Sequence, residues 1–191
     1  MKTNKHTVKK ENKNKIILDL CGGTGAWSAP YKEAGYDVRI VDLPYDVRFQ
    51  ELPKELIYGV LAAPPCTQFA GSGARWWKTK GDQPLMEGLS VVDACLRIIL
   101  MTNPVFWALE NPVGRLKNYL GKPVMYFNPC DFGDPYTKRT ALWGRFNSPK
   151  KNPVKPTEGS KMHRLPPGPK RQELRSITPR GFAEAFYKAN K

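Results

Sequence analysis

Ile16-Ile17-Leu18-Asp19-Leu20-Cys21-Gly22-Gly23-Thr24-Gly25 sets the fold class of this chain. Its first six residues read as a strand with apolar side chains pointing both ways, the pattern of a strand buried inside a sheet. The glycines then predict a tight turn where backbone can approach a ligand closely, and a helix near 27–34 follows. Working outward, Asp37–Leu43 reads as a second strand ending in Asp42, and Ile57–Ala63 as a third. Leu89, Val92, Leu96, Ile99 and Leu100 fall at helical spacing, so 86–102 is predicted as a core-facing helix. Val105–Leu109 is a short apolar strand running into Glu110-Asn111-Pro112. Strands alternating with helices imply an α/β sheet whose ligands bind beyond the carboxyl ends of the strands. Cys21, Asp42, Cys66 and Glu110 are each expected at such an end.

After residue 123 the pattern changes. Val124–Phe127 and Thr140–Phe146 read as strands around the turn Asp131-Phe132-Gly133-Asp134-Pro135. Residues 147–172 are rich in Pro, Lys and Gly and read as irregular. Thr178-Pro179 is a helix start, and Phe182, Ala183, Phe186 and Ala189 make the apolar stripe of that helix.

A chain of 191 residues suffices for one domain with a sizeable core. No run of about 18 apolar residues occurs, so no membrane span is expected, and the lysine-rich start lacks the apolar centre of a secretory signal. Four cysteines (21, 66, 95 and 130) form no CxxC pair and the only histidines are His6 and His163, so no metal site is expected and the thiols are expected reduced in a cytoplasmic setting. The net charge of +14 is concentrated at the flanks: +5 in residues 1–15, +8 in 150–191 and +1 between them. A nearly neutral core with two basic flanks suits an enzyme that holds a polyanion at its edges.

The chemistry centres on Pro64-Pro65-Cys66, just past the third strand. A cysteine there can reach a ligand and is a candidate nucleophile, whereas Cys95, on the long helix, reads as buried and inert. A free thiol is only a few per cent thiolate at neutral pH, so Cys66 needs help from turn N–H groups or a cation such as Arg139. Glu110, between an apolar strand and Asn-Pro, is expected to be partly desolvated, with a pKa raised enough to donate a proton. Asp42 could accept hydrogen bonds from ribose hydroxyls, and Asp46 and Val47 could face an adenine; ordinary turn chemistry is the alternative for both aspartates.

Leu18-Asp-Leu-Cys-Gly-Gly-Thr-Gly25, Pro64-Pro-Cys66, Glu110-Asn-Pro112 and Gly133-Asp-Pro-Tyr-Thr-Lys-Arg139 occur in the order found in the cytosine-C5 DNA methyltransferases, which the chain resembles over about 16–146 and 175–190. They look like that family's cofactor glycine motif, Pro-Cys nucleophile, Glu-Asn acid motif and arginine motif. Ile177-Thr-Pro-Arg-Gly-Phe-Ala-Glu-Ala185 is similar to its last motif. The resemblance implies a Rossmann-like class I methyltransferase fold, α/β with a mixed, mostly parallel sheet. It divides the chain into a basic tail (1–15), a catalytic core (16–146), a basic Pro/Gly-rich segment standing for a reduced DNA-recognition element (147–174) and a returning C-terminal helix (175–191).

The implied activity is methyl transfer from S-adenosylmethionine to C5 of a flipped cytosine, with Cys66, Glu110 and Arg139 catalytic. Asp19, Cys21, Gly22, Gly23, Thr24, Gly25, Trp27, Asp42, Leu43, Asp46, Val47, Pro64, Arg175 and Ser176 would line the cofactor. Pro65, Gln68, Asn111, Lys138 and Arg145 would contact the substrate. Double-stranded DNA is the implied partner, in the cytoplasm of a bacterium or of a phage's host, with a partner subunit as one source of sequence recognition.

The chain departs from the family at three points. Cys21 replaces the usual phenylalanine, so Trp27 is expected to take over aromatic packing. Ala141 stands where a second arginine is usual, leaving Arg145 or Lys138 to substitute. The large target-recognition domain is absent between the motifs. Three other readings stay open: an RNA cytosine-C5 methyltransferase, a relative transferring a carboxylated group because Arg175 falls near a usually neutral asparagine, and a non-catalytic DNA-binding relative.

Overall fold

A computed structural model describes residues 11–191, so most of the basic tail lies outside the described residues. In chain order the principal elements are β1 (Ile16–Leu20), α1 (Ala29–Glu33), β2 (Asp37–Val41), β3 (Ile57–Ala62), α2 (Gln83–Thr102), β4 (Phe106–Pro112), β5 (Met125–Phe127), β6 (Thr140–Arg145), α3 (Arg171–Ser176) and α4 (Arg180–Ala189). They build one six-stranded sheet in the order β2-β1-β3-β4-β6-β5. β2, β1, β3 and β4 are mutually parallel, and β6 runs antiparallel between β4 and β5. This is a Rossmann-like α/β arrangement with a mixed, mostly parallel sheet. Among the described residues no helix is long and apolar enough to cross a membrane.

The sheet is covered on both faces, which explains why β1 is apolar on both sides except at Asp19. Ile16, Leu18 and Leu20 pack with Val60, Ala62 and the α2 residues Val92, Cys95, Ile98 and Ile99. Ile17, Leu61 and Ala108 face the other way, onto Trp27, Tyr31 and the α4 stripe of Phe182, Ala183 and Phe186. Phe182 stacks on Phe127 with centroids 4.0 Å apart, and Phe186 meets Trp27 edge-on at 5.5 Å. Burying each such ring contributes roughly 1.5–3 kcal/mol, enough to fasten the C-terminal helix to the sheet.

Four boundaries differ from the sequence pattern. Cys21 leaves β1 with a left-handed φ of 56° instead of extending it. β4 continues through Glu110-Asn111-Pro112, because β6 pairs with it from Trp107↔Arg145 to Pro112↔Thr140. Glu110 is therefore presented from within a strand and not beyond its end. Leu100 is 78% exposed, the stripe of α2 having rotated onto Cys95 and Ile98. Within the basic segment, residues 152–159 follow the 130–137 turn through main-chain bonds: Val154 N–H to Cys130 O (2.8 Å), Glu158 N–H to Pro135 O (2.8 Å) and Thr137 N–H to Gly159 O (2.8 Å).

Candidate active site

The turn after β1 is cut to fit its own side chains. A Cβ on Gly22 would lie 2.5 Å from Asp19 Cγ, and one on Gly25, at φ +70°, would lie 2.6 Å from Ile40 Cδ1. Only glycine suits either position. A Cβ on Gly23 would stand 3.6 Å from Asp42 Oδ2, while Asp42 Oδ1 accepts the Leu43 N–H at 2.9 Å. An open backbone edge with a free carboxylate oxygen beside it is a cradle that fits the polyhydroxylated end of a nucleoside. Thr24 is exposed at the tip of the turn and Val47 is buried beneath the neighbouring loop. Asp19 is buried beneath the turn, accepts Ser28 Oγ–H at 2.5 Å and leaves Oδ1 without a partner. Burial pushes its pKa from 3.8 to about 6, against the Ser28 hydrogen bond.

Several residues expected to line a cofactor are turned elsewhere. Trp27 is 2% exposed and sits among Phe182 and Phe186, so it packs in the core and does not replace an aromatic over a ligand. The Cys21 side chain packs inward against the core that holds Cys95, and the neighbouring Cys21 thiol together with burial drives the Cys95 pKa far up. Both Asp46 oxygens are taken by Arg48, at 2.6 and 2.9 Å among other contacts, and this holds the Asp46 carboxyl below its usual range. Arg48 reaches on to Glu87 of α2 at 2.7 Å, so Asp46 serves as a clamp between the loop and that helix. The Leu43 side chain, by contrast, is 83% exposed next to Asp42 and stays accessible to a ligand. Ser176, on α3, donates its hydroxyl to Glu173 O at 2.7 Å.

The Cys66 turn and β4 are sewn together. Asn111, fully buried, donates Nδ2–H to Pro64 O at 3.0 Å. Phe69 N–H and Ala70 N–H both return to Cys66 O at 2.9 Å, closing the turn. Arg115 Nε donates to Gln68 O at 2.7 Å and its N–H to Phe69 O at 2.9 Å. Gly114 is obligatory here, since a Cβ would come within 1.8 Å of Phe69 O. Pro65 is exposed and Gln68 half-buried, with its side-chain oxygen enclosed and unpartnered.

Around the Cys66 thiol the electrostatics are mixed. Burial pushes its pKa up, the Glu110 charge adds to this, and Lys138 and Arg175 pull it back. Glu110 is raised by burial too, against Lys138 and the Thr140 hydroxyl. Lys138 thus acts on both reactive groups, and Arg175 acts on Cys66. Arg139 is exposed, its guanidinium 5.4 Å from the Tyr126 ring centroid. Arg145 lies opposite Trp107, well down β6 from Thr140, and donates to Pro104 O. Register alone removes it from the cluster. Residues not singled out from the sequence also meet here: Thr140, Gly114, Arg115 and the loop carrying Trp76 and Trp77. The run Arg75-Trp76-Trp77-Lys78 was the available signal for the last. Among the described residues no group of three or more His, Cys, Asp or Glu is arranged to hold a metal ion.

No family model matches the sequence, and no curated protein matches it. Among solved structures it is similar to an E. coli protein described as a DNA modification methyltransferase encoded within a prophage (TM-score 0.47, 18% identity, 69% of this chain and 46% of that one). It is also similar to the Entamoeba histolytica methyltransferase EhMeth (TM-score 0.42, 14% identity, 81% and 60%) and to a Spodoptera frugiperda DNMT2 mutant (TM-score 0.40, 17% identity, 80% and 56%). The chain thus spans 46% to 60% of the length of these structures.

Proposed function

We propose that this protein is an S-adenosylmethionine-dependent DNA methyltransferase acting at C5 of a cytosine swung out of the duplex. The observation that carries the reading is that Asn111, next to Glu110 on β4, holds Pro64 O of the Cys66 turn at 3.0 Å, so that the turn bearing the thiol sits beside the strand bearing the carboxyl. A thiol beside a carboxyl whose pKa is raised by desolvation is suited to adding across a C5=C6 bond. Cys66 thiolate attacks C6 and the C5=C6 π pair moves to C5. The Glu110 acid holds a proton at N3, so that charge does not accumulate on the ring. S-adenosylmethionine, when bound, supplies an electrophilic methyl group to that carbon, and Gly22–Gly25, Asp42 and Val47 would hold it. Loss of the C5 proton and of the Cys66–C6 bond then restores the aromatic ring and the thiolate. Lys138 stabilises the thiolate and the anionic adduct. Asn111, through Pro64 O, keeps the nucleophile's turn at the height of Glu110.

Labelled S-adenosylmethionine incubated with duplex DNA, followed by nucleoside analysis, tests the reading. Cys66→Ala is expected to abolish transfer while cofactor binding persists, and DNA carrying 5-fluorocytosine should trap the wild-type adduct because no C5 proton can leave. Normal turnover by the alanine variant would sink it.

Arg175 favours a second reading of the donor. It makes no ion pair among the described residues and its charge reaches Cys66. A lone cation near a sulfonium is unfavourable unless an anion lies between them. A donor with a carboxylate on the transferred carbon would meet that need, and the mass of the modified base distinguishes carboxymethyl from methyl.

A further inference from the structure

Trp76 and Trp77 follow the Cys66 turn and are used in opposite ways by the fold. Trp77 is half-buried, with the Arg115 guanidinium 4.6 Å from its ring centroid and its indole nitrogen enclosed. Arg115 is the residue that also grips Gln68 O, so the Trp77 ring is tied to the nucleophile's own turn. Trp76 has no such seat. It is 52% exposed, and the cation found over it is its exposed neighbour Arg75, 5.1 Å from the ring. The loop bearing it carries Arg75, Lys78 and Lys80, all exposed, and no acidic residue from Gly71 to Gly81. Its root is fixed by Gly71 N–H to Val113 O at 2.9 Å and by the bridge between Ala70 and Gly114. A flat, solvent-facing indole is therefore held on a firmly rooted basic loop ten residues after Cys66 in the chain.

We propose that Trp76 is a wedge that enters the duplex and stacks in the space left when the target base is extruded. This rests on the reading above that Cys66 acts on an extruded cytosine. Removing a base leaves two unstacked faces, and apolar side chains inserted at base steps fill such gaps. The flanking Arg75, Lys78 and Lys80 meet the phosphates on either side, which positions the ring without reading sequence. Because the loop grows from the Cys66 turn, insertion of the ring and delivery of the thiol are one movement.

The test compares Trp76→Ala, Trp76→Phe and wild type on three substrates: duplex with cytosine paired to guanine, duplex with cytosine opposite an abasic site, and single strand. Loss of one aromatic–base stack corresponds to roughly ten- to hundredfold. The alanine variant should lose about that on the paired duplex and recover most of it on the other two, where nothing need be unpaired. The phenylalanine variant, which keeps a ring and guards against misfolding, should fall between. Equal rates for all proteins on the paired duplex would overturn the wedge and leave the methyltransferase reading intact, and an equal loss on all three substrates would overturn it as well. A second readout, the fluorescence of 2-aminopurine at the target position, needs no chemistry. A rise with wild type that is lost in Trp76→Ala supports the wedge even if no cytosine is modified, and that combination would refute the reading it rests on.

Discussion

Replacing Asp19 by asparagine should alter how stability depends on pH more than it alters stability at any one pH. Asp19 lies buried under the glycine turn with one oxygen bonded to Ser28 and the other unpartnered. Desolvation raises its pKa from 3.8 to about 6 in the folded protein. Between those values the folded state holds a proton that the unfolded state has released, so stability falls as pH rises from about 4 to 6 and is level above. A rise of that size corresponds to about 3 kcal/mol at 1.36 kcal/mol per pH unit. An asparagine at this position cannot ionise, so that slope disappears. Its amide would place donors where Oδ1 now has no acceptor, a penalty of ~1–3 kcal/mol at every pH. The variant should thus be the less stable protein at pH 4 and close the gap, or reverse it, by pH 7. Urea unfolding at half-unit pH intervals gives the difference curve, in which the other titrating groups cancel. A wild-type-minus-variant difference that changes by less than about 1 kcal/mol over that range would refute a desolvated Asp19.

Lys138→Met should move both limbs of the pH–rate profile to higher pH, since removing a cation disfavours the ionised forms of Glu110 and Cys66 alike; limbs that stay put would show that Lys138 does not act on either. Glu110→Gln should slow transfer by ~10²-fold or more through loss of the acid proton, measured as single-turnover rate. Gly114→Ala should unseat the Cys66 turn, because the new methyl would strike Phe69 O; unfolding midpoint and Cys66 alkylation rate report the change, and a variant unaltered in both would mean the turn and β4 are not coupled. Duplex binding should weaken steeply with salt, with a log–log slope near −4.5 for about five phosphate contacts, and bisulfite sequencing should show modification in a context of only about two to four base pairs, since a bidentate contact supplies ~1–3 kcal/mol and 147–174 carries few readers. Modification restricted to six or more defined bases would contradict that.

The strands and their order of appearance were legible because burial on both faces leaves an apolar run that no other element demands. Cys66 and Glu110 could be picked out for the same reason: a thiol after two prolines and a carboxylate inside an apolar stretch have no packing use. What could not be read depends on pairing. Nothing local says that β6 turns back alongside β4, yet this register puts Lys138 near the thiol, sends Arg145 to the far end and leaves Arg139 over Tyr126. Arg48 claims Asp46, which spacing had directed at an adenine, through a loop-to-helix clamp spanning 39 residues. Trp27 illustrates a third limit. An aromatic after a glycine turn can face a ligand or the core, and Phe182 and Phe186, arriving from the end of the chain, decide for the core.

The pocket sets its two reactive groups against each other. Desolvation raises the Glu110 pKa, which favours an acid, and by the same physics raises the Cys66 pKa, which opposes a nucleophile. The Glu110 charge also discourages the Cys66 thiolate, and one neutral carboxyl beside one thiolate is the only singly ionised form that is chemically competent. Lys138 cannot select it, because its field lowers both pKa values together. Arg175 adds a second cation whose field lowers the Cys66 pKa. It also comes from α3, outside the sheet. Loosening α3 is therefore expected to raise the Cys66 pKa and so to slow thiol alkylation at neutral pH, which iodoacetamide kinetics would read.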